Sequence, residues 1–316
     1  MQTFLANLLF TLNITLPILI VLALGIWLKK RNVIDSHFTE IGNKLVFNVA
    51  LPCLLFVKIA DAPILSTLNA QFLGFAAGFT ILLVVLLTVF LNILTKNSEK
   101  SAVFVQSAYR GNMGIIGLAL IFNIYPNDSA ALAEAAVYLG VMTLVYNVVA
   151  IFLLQPTDKI FSLKTVKNLI SNPLIIAIVL ASVWSILGIP LFSAIKQTGN
   201  YFASLSLPLA LICIGASLKM KSLYTNKHWV VWASFVKLAL MPVLAVIIAW
   251  YLDFSHTQIA ILFIYMCTPT AAASYVMAKQ MTSQADLAAE TIAVTTILST
   301  LSITIGIFSL KSLAII

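Results

Sequence analysis

Tyr109-Arg110-Gly111-Asn112-Met113-Gly114 interrupts one long apolar stretch of this sequence, and Cys267-Thr268-Pro269-Thr270 interrupts another. An offset of 156 residues lays Gly111–Gly114 on Cys267–Thr270, and it also carries Pro17 onto Pro173, Pro52 onto Pro208 and Glu134 onto Glu290. No gap is needed between residues 8 and 154. The chain reads as a duplication. Two related halves in so apolar a sequence point to a secondary transporter, because they can exchange conformations around a shared central site.

Composition sets the class. A chain of 316 residues that is 61% hydrophobic and 9% charged, with a mean hydropathy of +1.07, carries more apolar surface than one soluble core can hide, so the lipid bilayer is its expected solvent. The net charge of +8 lies in short loops and not on one face, which argues against nucleic acid as a partner. Cys53, Cys213 and Cys267 fall inside apolar stretches with no CxxC spacing, so neither a disulfide framework nor a metal site is expected, and no cofactor is implied. The run from about 8 to 28 lacks the basic start and small-residue cleavage site of a signal peptide and reads as a retained first span.

A hydrocarbon core about 30 Å thick needs roughly 20 apolar residues per helix. Ten stretches qualify, near 8–28, 41–60, 72–94, 101–125, 134–154, 169–189, 200–219, 229–252, 257–279 and 289–310. Five spans per copy is an odd number, so the second copy enters from the opposite side and the repeats, 1–154 and 169–316, are inverted about the connection 155–168. The connections after spans 1, 3, 5, 7 and 9 hold twelve lysines and arginines, against Lys196 and Lys311 opposite. The positive-inside rule then places both termini outside the cytoplasm and the 155–168 connection inside it.

Function is expected where helices break. Glycines weaken span 4 and permit close backbone approach. In span 9 Pro269 removes a donor and biases Thr268 away from helical geometry. Unpaired backbone groups in hydrocarbon cost several kcal/mol each, so breaks persist only where protein, water or ligand satisfies them. Two breaks at matching repeat positions imply one site, with half-helix N-termini for an anion and freed carbonyls for a cation or hydroxyl. The other reading is that glycine and proline merely kink the helices.

The sequence also resembles the auxin efflux carrier family, which includes plant auxin exporters and bacterial permeases. The similarity runs through Gly42-Asn43-Lys44-Leu45-Val46 with Ala50-Leu51-Pro52-Cys53-Leu54-Leu55-Phe56, then Asn112 with Gly114 and Gly117, Asn172-Pro173-Leu174-Ile175, Pro208 with Gly215-Ala216, and Pro269 with Ala278-Lys279. It covers essentially the whole chain. The resemblance implies an all-α, ten-helix membrane fold like that of bile-acid symporters and sodium/proton antiporters, with substrate at a crossover of spans 4 and 9. Spans 1, 2, 6 and 7 would form a scaffold. Asn112 and Pro269 carry over as site residues. Thr268 before the proline and the absence of a long central loop depart from the plant pattern, so auxin itself is not the implied substrate.

Arg110 lies about nine residues into span 4, roughly 13 Å deep at 1.5 Å per residue, with no Asp or Glu in the middle of any span to neutralise it. Its missing partner is either a substrate carboxylate or a solvated cavity and helix-end carbonyls. Lys237 is about eight residues into span 8, and its flexible stem favours snorkelling. Glu134 and Glu290 are expected to begin spans 5 and 10, where negative charge suits a helix N-terminus. No GxSxG, HExxH or P-loop motif occurs, and an enzyme is not expected.

The expected function is therefore a cytoplasmic-membrane transporter of small organic anions, mono- or dicarboxylates, for which the resemblance to the family's bacterial permeases implies substrates such as malate or malonate. Arg110, Asn112, Gly114, Thr268, Pro269 and Thr270 would line its substrate site. An anion channel or a non-transporting sensor of the same fold is the competing class, and a homodimer is compatible with either.

Overall fold

The computed structural model describes residues 9, 16–17, 20–60, 69–95, 98–154, 171, 173–217 and 226–316. The 155–168 connection lies outside the described residues, as does most of the first half of span 1. All regular structure among the described residues is helical: α1 (20–30), α2 (Ser36–Leu45), α3 (Leu51–Ala60), α4 (Ala70–Leu94), α5 (Ser98–Tyr109), α6 (Leu118–Ile124), α7 (Ser129–Leu154), α8 (Pro173–Ile186), α9 (Ser193–Ser217), α10 (Lys227–Phe235), α11 (Met241–Tyr251), α12 (His256–Met266), α13 (Ala272–Met281) and α14 (Ala285–Ser312). Among the described residues, six continuous helical runs are long and apolar enough to cross a membrane: Ser36–Val57, Ala70–Leu94, Ser129–Leu154, Ser193–Ala216, Lys227–Tyr251 and Ala285–Ser312. Shorter apolar helices cover Met113–Ile124, Pro173–Ile186 and His256–Met266.

Helix starts are fixed by short polar side chains. Asp35, Asn69 and Ser255 each accept a backbone N–H from the first turn of α2, α4 and α12, and Gln258 completes a capping box by reaching back to the Ser255 N–H. Such caps contribute about 1 kcal/mol each. Two π-helical turns, Val46–Ala50 and Val236–Leu240, join α2 to α3 and α10 to α11. Each ends two residues before a proline, Pro52 or Pro242. A proline has no N–H to donate, and its ring crowds the carbonyl four residues back, so the preceding turn widens.

The helices pack as two groups. In the first, α3 lies against α8 and α9, and α9 also covers α2. The α1 and α9 backbones touch: a methyl added to Gly25 would overlap the Ile212 carbonyl oxygen, and one on Gly215 would overlap that of Leu22. The second group is α4 to α7 with α10 to α14, in which α5 packs on α4, α7, α10 and α14. Its outer surface is oily. On α4, Ile81, Leu82, Val85, Leu86, Val89 and Phe90 are exposed while Phe72, Ala76, Phe79 and Leu83 are buried. A helix apolar on both its inner and outer faces needs lipid for its outer neighbour.

Glu134 and Glu290 do not begin their helices. α7 and α14 start five residues earlier, at Ser129 and Ala285. Glu134 accepts from the Gln258 side chain at 2.7 Å and Glu290 from the Asn226 backbone N–H at 3.2 Å. The carboxylates tie α7 to α12 and α14 to the start of α10, roles that come from tertiary partners and not from the helix dipole.

Candidate functional site

The two interruptions meet. Residues 110–112 leave the helix after α5, and 267–271 do so after α12. Between them Gly111 and Thr270 form an isolated antiparallel bridge. The Asn112 N–H donates to the Pro269 carbonyl at 2.8 Å, and the Ala271 N–H donates to the Arg110 carbonyl at 2.9 Å. Each break thus supplies the partners the other lacks, which answers the accounting that buried backbone imposes. Gly111 is required at the contact. A methyl there would overlap the Thr268 hydroxyl and stand 2.9 Å from the Lys237 ammonium.

Two tyrosines at the same sequence offset brace the bridge. Tyr109 and Tyr265 lie 156 residues apart, and both are fully buried. Tyr109 donates its hydroxyl to the Tyr146 carbonyl at 3.1 Å, and Tyr265 donates to that of Ala135 at 2.9 Å. Their rings pack on α7 as well, Tyr109 edge-on to Tyr146 and Tyr265 stacked on Tyr138. The offset that pairs the breaks also pairs these tyrosines, and was the available signal for them.

Of the residues expected to line the site, Arg110, Asn112, Thr268, Pro269 and Thr270 surround the bridge. Thr268 gives its hydroxyl to the Tyr265 carbonyl at 2.7 Å, capping the end of α12. Thr270 donates its hydroxyl to the Ser107 carbonyl at 2.7 Å, and its N–H goes to the Thr295 hydroxyl at 3.1 Å. Both threonine hydroxyls are therefore committed to backbone. Asn112 differs: its carboxamide is half-buried and bonds to no described residue. Gly114 lies within the π-helical turn Met113–Gly117, where the vacant Cβ position faces Leu174 and Leu139.

Arg110 is 7% exposed. Its guanidinium donates to the Tyr146 carbonyl at 3.3 Å, the Met277 sulfur at 3.2 Å and the Asn147 side-chain oxygen at 2.6 Å. All three partners are neutral, so the charge is solvated by protein without being cancelled. Lys237 does not snorkel. It has no exposed surface, and its ammonium donates to the carbonyls of Tyr109 at 3.3 Å and Met266 at 2.9 Å. The π-helical turn before Pro242 holds it there, a placement that depth in a sequence window does not show.

The Ser107 and Ser274 hydroxyls and the Gln106 side-chain oxygen, on α5 and α13, are buried without a hydrogen-bond partner among the described residues. In sequence they read as ordinary polar residues of apolar helices. No group of three or more His, Cys, Asp or Glu side chains among the described residues could hold a metal ion.

Comparison with known proteins agrees with a membrane transport role. Residues 11–307 match the sequence profile of the family described as membrane transport protein. The chain is 24% identical over 268 residues to the uncharacterized transporter YfdV of Escherichia coli K12, covering 80% of this chain and 83% of that protein. It is 23% identical over 304 residues to the uncharacterized transporter MJ1031 of Methanocaldococcus jannaschii, covering 92% and 96%. With two broken helices joined at a buried bridge and a match over nearly its whole length, the chain belongs to the membrane transport protein family, that of the auxin efflux carriers.

Proposed function

We propose that this transporter moves small organic anions, mono- or dicarboxylates such as malate or malonate, across the cytoplasmic membrane by alternating access at the crossover of spans 4 and 9. The observation that carries the reading is the meeting of the two breaks beside two buried cations, Arg110 and Lys237, whose hydrogen-bond partners are all neutral. The helical segments that leave the bridge, Met113–Ile124 and α13, begin there. The first N–H groups of a helix have no partner within it, and their dipoles favour negative charge. Asn112 adds an uncommitted carboxamide, and Ser107 and Ser274 add buried hydroxyls without a partner among the described residues, each able to donate to a carboxylate. An anion fits this field; a bare cation does not.

The inverted ten-span arrangement, with repeats 1–154 and 169–316, is part of this proposal. It is supported by helix starts that keep the 156-residue offset to within a residue: Ala70 and Lys227, Ser129 and Ala285.

Uptake of labelled carboxylates into proteoliposomes tests the reading. Saturable flux is expected, and Asn112→Ala is expected to weaken affinity roughly ten- to a hundredfold, the effect of removing one hydrogen bond to a charged group. Arg110→Gln should impair flux more than Arg110→Lys, which keeps the charge. Wild-type affinity in correctly inserted Asn112→Ala and Arg110→Gln proteins rules this site out. Unitary currents without saturation indicate a channel, and binding without flux a sensor.

A further inference from the structure

Lys29-Lys30-Arg31 is the only place in the sequence where cations are adjacent, and it falls where α1 ends and the chain turns into α2. The turn is a closed one. The Asn32 N–H donates to the Lys29 carbonyl at 3.2 Å and the Val33 N–H to the Leu28 carbonyl at 3.0 Å, with Asn32 in the left-handed region at a φ of 57°. This pair of bonds caps a helix C-terminus and fixes the chain beyond it. Just upstream, α1 meets α9 backbone to backbone at Gly25 and Gly215. The basic run therefore stands on a seated helix end and not on a loose tail.

The nearby acids are committed. Asp35 accepts the Phe38 N–H at 2.7 Å, and Glu40 pairs with Lys44 at 2.8 Å. Lys29 donates to the Ser36 hydroxyl at 2.9 Å, a neutral partner. The exposed Lys30 ammonium bonds to no described residue, and the Arg31 guanidinium lies over the Trp27 ring, 5.7 Å from its centroid. The turn is left with an excess of positive charge.

It is also oily. Trp27 is 51% exposed, Val33 65% and Phe38 41%. Exposed apolar side chains beside bare cations, at the end of a helix in a membrane protein, mark the boundary between hydrocarbon and headgroups, where Trp and snorkelling Lys or Arg gather. A soluble phosphate would match the charge and leave the apolar side chains in water. A phospholipid matches both.

We propose that the α1–α2 turn is a binding site for one anionic phospholipid, its phosphate held by Lys30 and Arg31 and its acyl chains lying along Trp27 and Val33. Because α1 is locked to α9, the bound lipid ties that helix group to the headgroup layer at this face of the membrane. The site involves no substrate and stands apart from the organic-anion reading.

Native mass spectrometry of the purified full-length protein in a neutral detergent tests this, with phosphatidylglycerol and phosphatidylcholine of identical acyl chains titrated in. The wild type should retain one phosphatidylglycerol in preference to phosphatidylcholine, and the preference should shrink as ionic strength rises. Lys30→Gln with Arg31→Gln should weaken phosphatidylglycerol binding about tenfold or more, because each cation near a membrane surface contributes severalfold. Lys196→Gln with Lys311→Gln, which removes the same charge elsewhere, should leave it unchanged. Glycerol 3-phosphate at the same concentration should not displace the lipid.

Equal retention of the two lipids by the wild type overturns the proposal, and that comparison stands even if the double variant does not fold. Undiminished phosphatidylglycerol binding in the folded Lys30→Gln, Arg31→Gln protein overturns it, as does an equal loss in the charge-matched control. Displacement by glycerol 3-phosphate makes the turn a site for free anions and defeats the lipid assignment.

Discussion

Two glycines in the same short motif have different work to do. A methyl on Gly111 meets the Thr268 hydroxyl, the Lys237 ammonium at 2.9 Å and the Tyr265 carbonyl at 3.1 Å, whereas one on Gly114 stands at ordinary contact, 3.7 Å from Leu174 and 4.0 Å from Leu139. Gly111→Ala should therefore destabilise the protein by about 1–3 kcal/mol, the usual penalty of overpacking, and Gly114→Ala should leave the unfolding midpoint near wild type. Equal midpoints for the two variants in a detergent melt would contradict the close approach at the bridge. The sequence made the motif legible as a break but could not rank its glycines, because the atoms that crowd Gly111 come from more than 100 positions away in the chain. Lys237 differs from its sequence expectation for the same reason. Its distance from a span end suggests a reach to water, and only the fold shows that two carbonyls are nearer.

Helix packing separates positions that hydropathy treats alike. Gly215 on α9 and Gly78 on α4 both sit in apolar helices, yet a Cβ on Gly215 would overlap the Leu22 carbonyl oxygen and stand 3.3 Å from the Gly25 Cα, while one on Gly78 meets nothing within 4 Å. Gly215→Leu should force α1 from α9 and lower stability by about 1–3 kcal/mol. Gly78→Leu faces lipid and should be neutral or slightly stabilising, given glycine's poor helix propensity. Unfolding midpoints of the two variants side by side check this. Apolar length located the helices well, but their ends were less legible. Glu134 and Glu290 look like boundaries because charge usually marks the edge of a span. In the fold both lie inside a helix, where Gln258 bonds the half-buried Glu134 and the Asn226 N–H bonds one oxygen of the buried Glu290.

For the molecule entire, membrane residence and family were readable from composition and a handful of motifs, because lipid imposes helices on any chain that spans it. Orientation is a separate matter, decided by loop charge. The twelve-to-two asymmetry of lysine and arginine predicts that single cysteines at either terminus, in a protein whose three native cysteines are replaced, react with an impermeant reagent in intact cells, and that one at 155–168 does not. Protection of both termini would reverse the topology.

The seam between the two helix groups has a mechanical meaning. Around the crossover, Arg110 is tied to α7, Thr270 to α5, Gln258 to Glu134 and Lys237 to two helix ends, so that block is cross-braced. Where α7 meets α8 the facing groups are oily ones, with Ile178 pressed to Gly140. Sliding along such a face exchanges one dispersion contact for another, whereas shearing the block tears polar bonds that lipid cannot replace. In the alternating-access cycle proposed above, such a face is where one group would slide on the other, and the cross-braced block is what would move as a unit.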